Sequence, residues 1–130
     1  MFDGHGGHEL AEYSKSKINS LIDSYMLSKL GKMKEFSKQY IGDLFKESLK
    51  WSYQQIEESF FEIYRQQVKM GNKKIRNVGT CGITAIVHND KVYVGNAGDS
   101  QAMFVMKEGG GMMRCEKANS RLSVNNRTER

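Results

Sequence analysis

Apolar positions along this 130-residue chain change their period a little past the middle. From His8 to about Leu30 they recur three or four apart. Leu10, Ser14, Ile18, Leu21, Ile22 and Tyr25 follow the i, i+3/i+4 spacing of one helical face. Glu9 and Glu12 fall in the first turn, where acids suit the helix dipole, and Gly31 is a stop signal. Residues 32–37 read as a polar connector. A longer helical pattern then runs from about Lys38 to Met70, with the stripe Tyr40, Leu44, Phe45, Leu49, Ser52, Ile56, Phe60, Ile63 and Gln67. Trp51, Phe61 and Tyr64 lie partly off that stripe, which predicts a helix covered on two sides. Gly71-Asn72 ends it, and Lys73 to Asn77 is a basic loop.

Beyond this point the period becomes two. Thr80 to His88 is rich in β-branched residues, Asn89-Asp90-Lys91 is a turn signal, and Val92-Tyr93-Val94 resumes the alternation. The pattern predicts a β-hairpin. Gly95 to Ser100 is a run of small residues, which implies a bulge or close backbone packing. Further strands are expected over Gln101 to Met106 and Met112 to Lys117, with Glu108 to Gly111 as a loop between them. The tail from Asn119 to Arg130 is polar. Residues 1–3 read as a strand end running into a glycine turn. Helices and strands are segregated, so the fold class is α+β, two helices followed by antiparallel strands, rather than βαβ.

Composition narrows the functional classes. Hydrophobic residues are 38% and aromatics 10%, compatible with one globular unit. The formal net charge of +5 suits acidic or phosphorylated partners, but Lys and Arg are spread out, so no nucleic-acid-binding stripe stands out. Cys81 and Cys115 form neither a zinc pattern nor a disulfide framework. No apolar run reaches the roughly 18 residues of a membrane span, and no signal peptide is visible. The default compartment is therefore cytoplasmic or nuclear. The aromatic stripe of the second helical segment is expected in the core.

The chemistry concentrates in Asp3-Gly4-His5-Gly6-Gly7. The Asp3 carboxylate and the backbone carbonyl of Gly4 are hard oxygen donors of the kind Mg²⁺ or Mn²⁺ prefers. His5 beside them can move a proton near neutral pH. His8 reads as a helix-start surface residue and His88 as a strand-end residue.

Phe2 to Gly7 resembles the FDGHGG motif of the metal-dependent protein serine/threonine phosphatases, the PPM or type 2C family. Gly79 to Ala85 resembles that family's GTTA-like strand. Val92 to Ala102, with Gly98-Asp99-Ser100, resembles its strand pair around GDSRA. The resemblance implies a partial PPM-type phosphatase domain over residues 1–130, part of a four-layer α-β-β-α sandwich with a two-metal centre at one end. It implies a metal-activated water hydrolysing phosphoserine or phosphothreonine in protein substrates. By position, Asp3 is similar to the carboxylate that bridges two Mg²⁺ or Mn²⁺ ions, Gly4 to the carbonyl ligand of one of them, and His5 to the general acid for the leaving oxygen. Asp99 is similar to a structural residue of the sheet.

The departures from the pattern shape the expectation. The chain corresponds to roughly the first half of the family's catalytic domain. The upstream arginine and acidic pair, and the downstream motifs that carry further metal-ligating aspartates, fall outside it. Asn125, in Leu122 to Asn126, stands where the family often has an aspartate, and Gln101 replaces a common arginine. A two-metal centre is therefore incomplete in this chain, and the exposed sheet of half a sandwich invites a partner that covers it. The alternative is a catalytically inactive, phosphatase-like binding module or assembly subunit.

Overall fold

The computed structural model describes residues 1–31, 35, 37–72 and 78–120. Strand β1 (Phe2–His5) precedes helix α1 (Glu9–Leu30) and helix α2 (Lys38–Lys69). Strands β2 (Gly79–His88), β3 (Lys91–Ala97), β4 (Met103–Lys107) and β5 (Met113–Lys117) follow, with a short 3₁₀ turn over Gly109–Gly111. The α+β arrangement expected from the change of period is the observed one. Several boundaries move by one residue and two by two. The strand expected from Gln101 begins at Met103, and β1 continues through Gly4 to His5 instead of stopping at residue 3.

The helix ends follow from local chemistry. The Ser37 side chain accepts a hydrogen bond from the Tyr40 backbone N–H at 3.1 Å and so caps the start of α2. Its other end closes with Gly71 at φ +79°, a left-handed conformation that glycine adopts at little cost. The Gly71 N–H donates to the Val68 carbonyl and the Asn72 N–H to the Gln67 carbonyl, each at 3.0 Å, which satisfies two carbonyls the helix leaves over.

Strands β1, β2 and β3 form an antiparallel sheet in that order, and β4 and β5 form a separate two-stranded pair. Both helices pack against the sheet and against each other. Leu44, Leu49, Ile56 and Phe60 on α2, Ile18 on α1 and Ile83 on β2 are the buried apolar side chains among the described residues. The two-sided cover expected for α2 is seen in its aromatic contacts. Trp51 meets Tyr25 of α1 at 5.4 Å between ring centroids, while Phe45 meets Tyr93 of β3 at 5.3 Å. Phe61 is half exposed and stacks on Tyr64.

Three serines, Ser14, Ser48 and Ser52, are fully buried. Small side chains of this kind let packed elements come close. Ser14 and Ser48 return their hydroxyls to carbonyls of their own helices, at 2.7 and 2.9 Å.

The second layer differs. Every residue of β4 and β5 is exposed, Met103, Phe104, Val105, Met106 and Met113 included. Asn119 ties this pair to the end of the turn before it, accepting from the Ala102 N–H at 2.7 Å and donating to the Ser100 carbonyl at 2.9 Å. Residues 32–34, 36 and 73–77, and the Leu122 to Asn126 segment with Asn125, lie outside the described residues.

Candidate functional site

The site is assembled by strand pairing between residues almost 80 positions apart. In the β1–β2 register Phe2 faces Gly82, Asp3 faces Cys81, Gly4 faces Thr80 and His5 faces Gly79. Met1 and Ile83 exchange both backbone bonds, at 2.7 and 2.9 Å. Antiparallel pairing alternates between hydrogen-bonded and non-hydrogen-bonded pairs. Asp3–Cys81 and His5–Gly79 are therefore the next hydrogen-bonded pairs. The peptide groups of Asp3 and His5 turn toward β2, and the Gly4 carbonyl turns toward the outer edge of β1, the edge strand of this sheet.

Side chains alternate across the sheet. Phe2 faces the helices, where its ring meets Tyr53 edge-on at 6.2 Å. Gly4 shares that face, and it has no room for a side chain. A Cβ there would lie 2.7 Å from the Gly7 carbonyl oxygen and 3.3 Å from the Ala11 Cβ. Asp3 and His5 share the opposite face, and both are exposed. Gly6, at φ +70°, turns the chain from β1 into α1. The sequence motif thus sorts its residues onto three directions: apolar anchor inward, acid and imidazole outward, peptide oxygen to the edge.

The two motif blocks meet at Cys81. This half-buried thiol is the register partner of Asp3, and its Sγ packs against Gly98, which sits at φ +90° just before Asp99. The Asn96 side-chain amide holds the turn by donating to the Gly98 carbonyl at 2.9 Å. The exposed Asp99 therefore belongs to a turn lodged against the strand that faces Asp3. His8 is exposed at the start of α1, and His88 lies at the far end of β2 from Gly79, with its ring 5.2 Å from Phe45. Neither joins His5.

Behind the site lies a cavity of about 590 Å³ between the helices and the first two strands. Phe2, Tyr53, Phe60, Tyr64 and Thr80 line it, and His5 reaches its rim. Tyr53 bridges helix and sheet, its hydroxyl 3.0 Å from the Thr84 Oγ1 and donating to the Gly95 carbonyl at 3.3 Å. Burial holds the Tyr53 phenol above its ordinary pKa, against the opposing pull of the Thr84 hydrogen bond.

The donors at the site suit a hard divalent cation in kind. They are one exposed carboxylate, on Asp3, and one peptide oxygen aimed at an open edge, on Gly4. In number they are a part of a coordination shell. Among the described residues, no group of three His, Cys, Asp or Glu side chains is placed to hold a metal ion.

The sequence places Gly79 and Thr80 in the GTTA-like block but assigns neither a role; in the structure the Thr80 hydroxyl lies 3.0 Å from the Asp3 carbonyl oxygen, and the His5 ring rests against Gly79. Their roles depend on the register, which no local pattern reveals.

Comparison with known proteins bears on the whole chain. A family model described as Protein phosphatase 2C matches residues 1–128. Among curated relatives, the chain is 28% identical over 103 residues to "Probable protein phosphatase 2C 63" of Arabidopsis thaliana, covering 79% of this chain and 24% of that protein. It is 31% identical over 103 residues to "Probable protein phosphatase 2C 64" of the same plant, covering 79% and 22%. It is 28% identical over 110 residues to "Protein phosphatase 1L" of Bos taurus, covering 84% and 27%. The chain spans about a quarter of the length of each of these three relatives.

Proposed function

The chain belongs to the protein phosphatase 2C family, and from that premise we propose that residues 1–130 are part of a PPM-type catalytic domain that dephosphorylates phosphoserine and phosphothreonine in proteins. The observation that carries the reading is the sorting at β1. The Asp3 carboxylate and the His5 imidazole share one exposed face, and the Gly4 carbonyl points to the adjoining edge.

In this reading Asp3 and Gly4 contribute oxygen ligands to Mg²⁺ or Mn²⁺. Such ions, when bound, lower the pKa of water and neutralise charge on phosphoryl oxygens. His5 is two residues along the same strand face, so its ring is held on the side of the sheet where a phosphoryl group would approach. A protonated imidazole there gives its proton to the departing serine or threonine oxygen, which would otherwise leave as an alkoxide. The exposed sheet face and the β4–β5 pair are covered, in this reading, by further protein. No helix among the described residues is long and apolar enough to cross a membrane, and a cytoplasmic or nuclear setting is part of the proposal.

Titration with Mn²⁺ followed by calorimetry tests the reading. The chain is expected to bind in the millimolar range, because one carboxylate and one carbonyl are few ligands, and Asp3→Asn is expected to abolish the heat. Turnover of p-nitrophenyl phosphate by the chain alone should stay near background. Equal Mn²⁺ binding by wild type and Asp3→Asn would remove Asp3 as a ligand. Absence of binding in both would favour the phosphatase-like binding module over the enzyme.

A further inference from the structure

The start of β2 lies directly across from both candidate functional side chains. The Thr80 Oγ1 is 3.0 Å from the Asp3 carbonyl oxygen and 3.0 Å from the Cys81 carbonyl oxygen. A hydroxyl has one proton, so it is shared between these two acceptors, and both belong to the Asp3–Cys81 pair. The neighbouring Gly79 faces His5. Where a side chain on Gly79 would begin, the imidazole is already present: a Cβ would stand 2.7 Å from His5 Cε1 and 2.9 Å from Cδ2. Real Cβ atoms do not come this close, so the ring position depends on the missing side chain.

Strand β1 is held by its pairing with β2 on one side and by the Phe2 ring against Tyr53. It is four residues long, it lies at the edge of the sheet, and Asp3, Gly4 and His5 are all exposed. Such a strand frays more readily than a central one. A side-chain hydroxyl that reaches across to the Asp3 carbonyl restrains the Asp3–Gly4 peptide, which lies between the Asp3 side chain and the Gly4 carbonyl.

We propose that Gly79-Thr80 is a positioning dipeptide, in which Thr80 clamps the Asp3 backbone and Gly79 seats the His5 ring. The clamp stands on the structure alone. Its consequence for a cation and for the leaving-group proton rests on the reading of Asp3, Gly4 and His5 given above.

The test is amide hydrogen exchange by NMR on the full chain, with Thr80→Val, Thr80→Ser and Gly79→Ala. Thr80→Val keeps shape and removes the hydroxyl. It is expected to speed exchange at the Asp3 and His5 amides about three- to tenfold, the loss expected for one hydrogen bond. Exchange at Leu49 and Ile56 in α2 should stay unchanged and reports that the core is intact. Thr80→Ser restores the hydroxyl and should restore the protection. Gly79→Ala should shift the His5 ring proton resonances while those of Tyr53 hold.

Unchanged exchange in Thr80→Val, or equal loss in Thr80→Ser, would overturn the clamp. An unmoved His5 ring in Gly79→Ala would overturn the seat. A Mn²⁺ titration of the same samples separates the two levels. If β1 loosens in Thr80→Val and Mn²⁺ broadens neither Gly4 nor His5 in wild type, the clamp stands and the metal reading fails. If both stand, Thr80→Val should weaken Mn²⁺ broadening at Gly4 about three- to tenfold, and Thr80→Ser should restore it.

Discussion

The two faces of the β1–β2–β3 sheet are made from the same strands and have opposite fates. One face carries Phe2, Thr84, Gly95 and Tyr93 and is covered by α1 and α2, with Leu49 and Ile56 at 3% and 4% exposure beneath them. The other carries Asp3, His5, Ala85, Val87 and Val92, all exposed, with Val87 at 74%, around a single buried side chain among the described residues, Ile83. The difference teaches where the free energy of this fold resides. Apolar burial on the helix side holds the strands together, while the open side has polar groups displayed at one end and unspent apolar surface at the other. A site built on the open side inherits its rigidity from the closed side through the alternation of side chains along each strand.

Three substitutions test that contrast. Leu49→Ala removes a buried side chain between α2 and the sheet and should destabilise the fold by about 2–5 kcal/mol. Urea unfolding followed by circular dichroism reads it, and a loss below about 1 kcal/mol would mean that the helix face is not the source of stability. Tyr53→Phe keeps the ring but removes the hydroxyl that meets Thr84 and the Gly95 carbonyl. Its expected cost is about 0.5–1.5 kcal/mol in the same unfolding experiment. Val87→Thr, on the open face, should change stability by no more than about 0.5 kcal/mol. A larger loss there would show that this face is covered in solution, for example by another protein chain.

Much of this contrast is legible in the sequence. The i, i+3/i+4 stripe through Leu44, Leu49, Ile56 and Phe60 marks the buried side of α2 because helical periodicity is a local property. The off-stripe Trp51 correctly signalled a second covered side, and Asn89-Asp90 marked the hairpin between β2 and β3. Ser48 escaped notice, although it is fully buried, because a small polar residue carries no hydrophobic signal. Thr80 and Gly79 belong to a motif block the sequence shows, but their roles toward Asp3 and His5 are not in it. Those roles appear only once the partner of each on β1 is known.

Asp3-Gly4-His5-Gly6-Gly7 by itself determined which functional groups this chain has to offer: a carboxylate, an imidazole and glycines that let backbone approach closely. Residue chemistry is written in the sequence and needs no partner. Only the tertiary structure decided the directions. Pairing β1 with β2 aims the Gly4 carbonyl at the sheet edge, sets Asp3 and His5 on the face away from the helices, and brings Thr80 and Gly79 opposite them. The physical reason is that register and edge position arise from contacts between residues some 77 positions apart. A slip of one residue would carry Asp3 and His5 to the opposite face while leaving every local pattern unchanged.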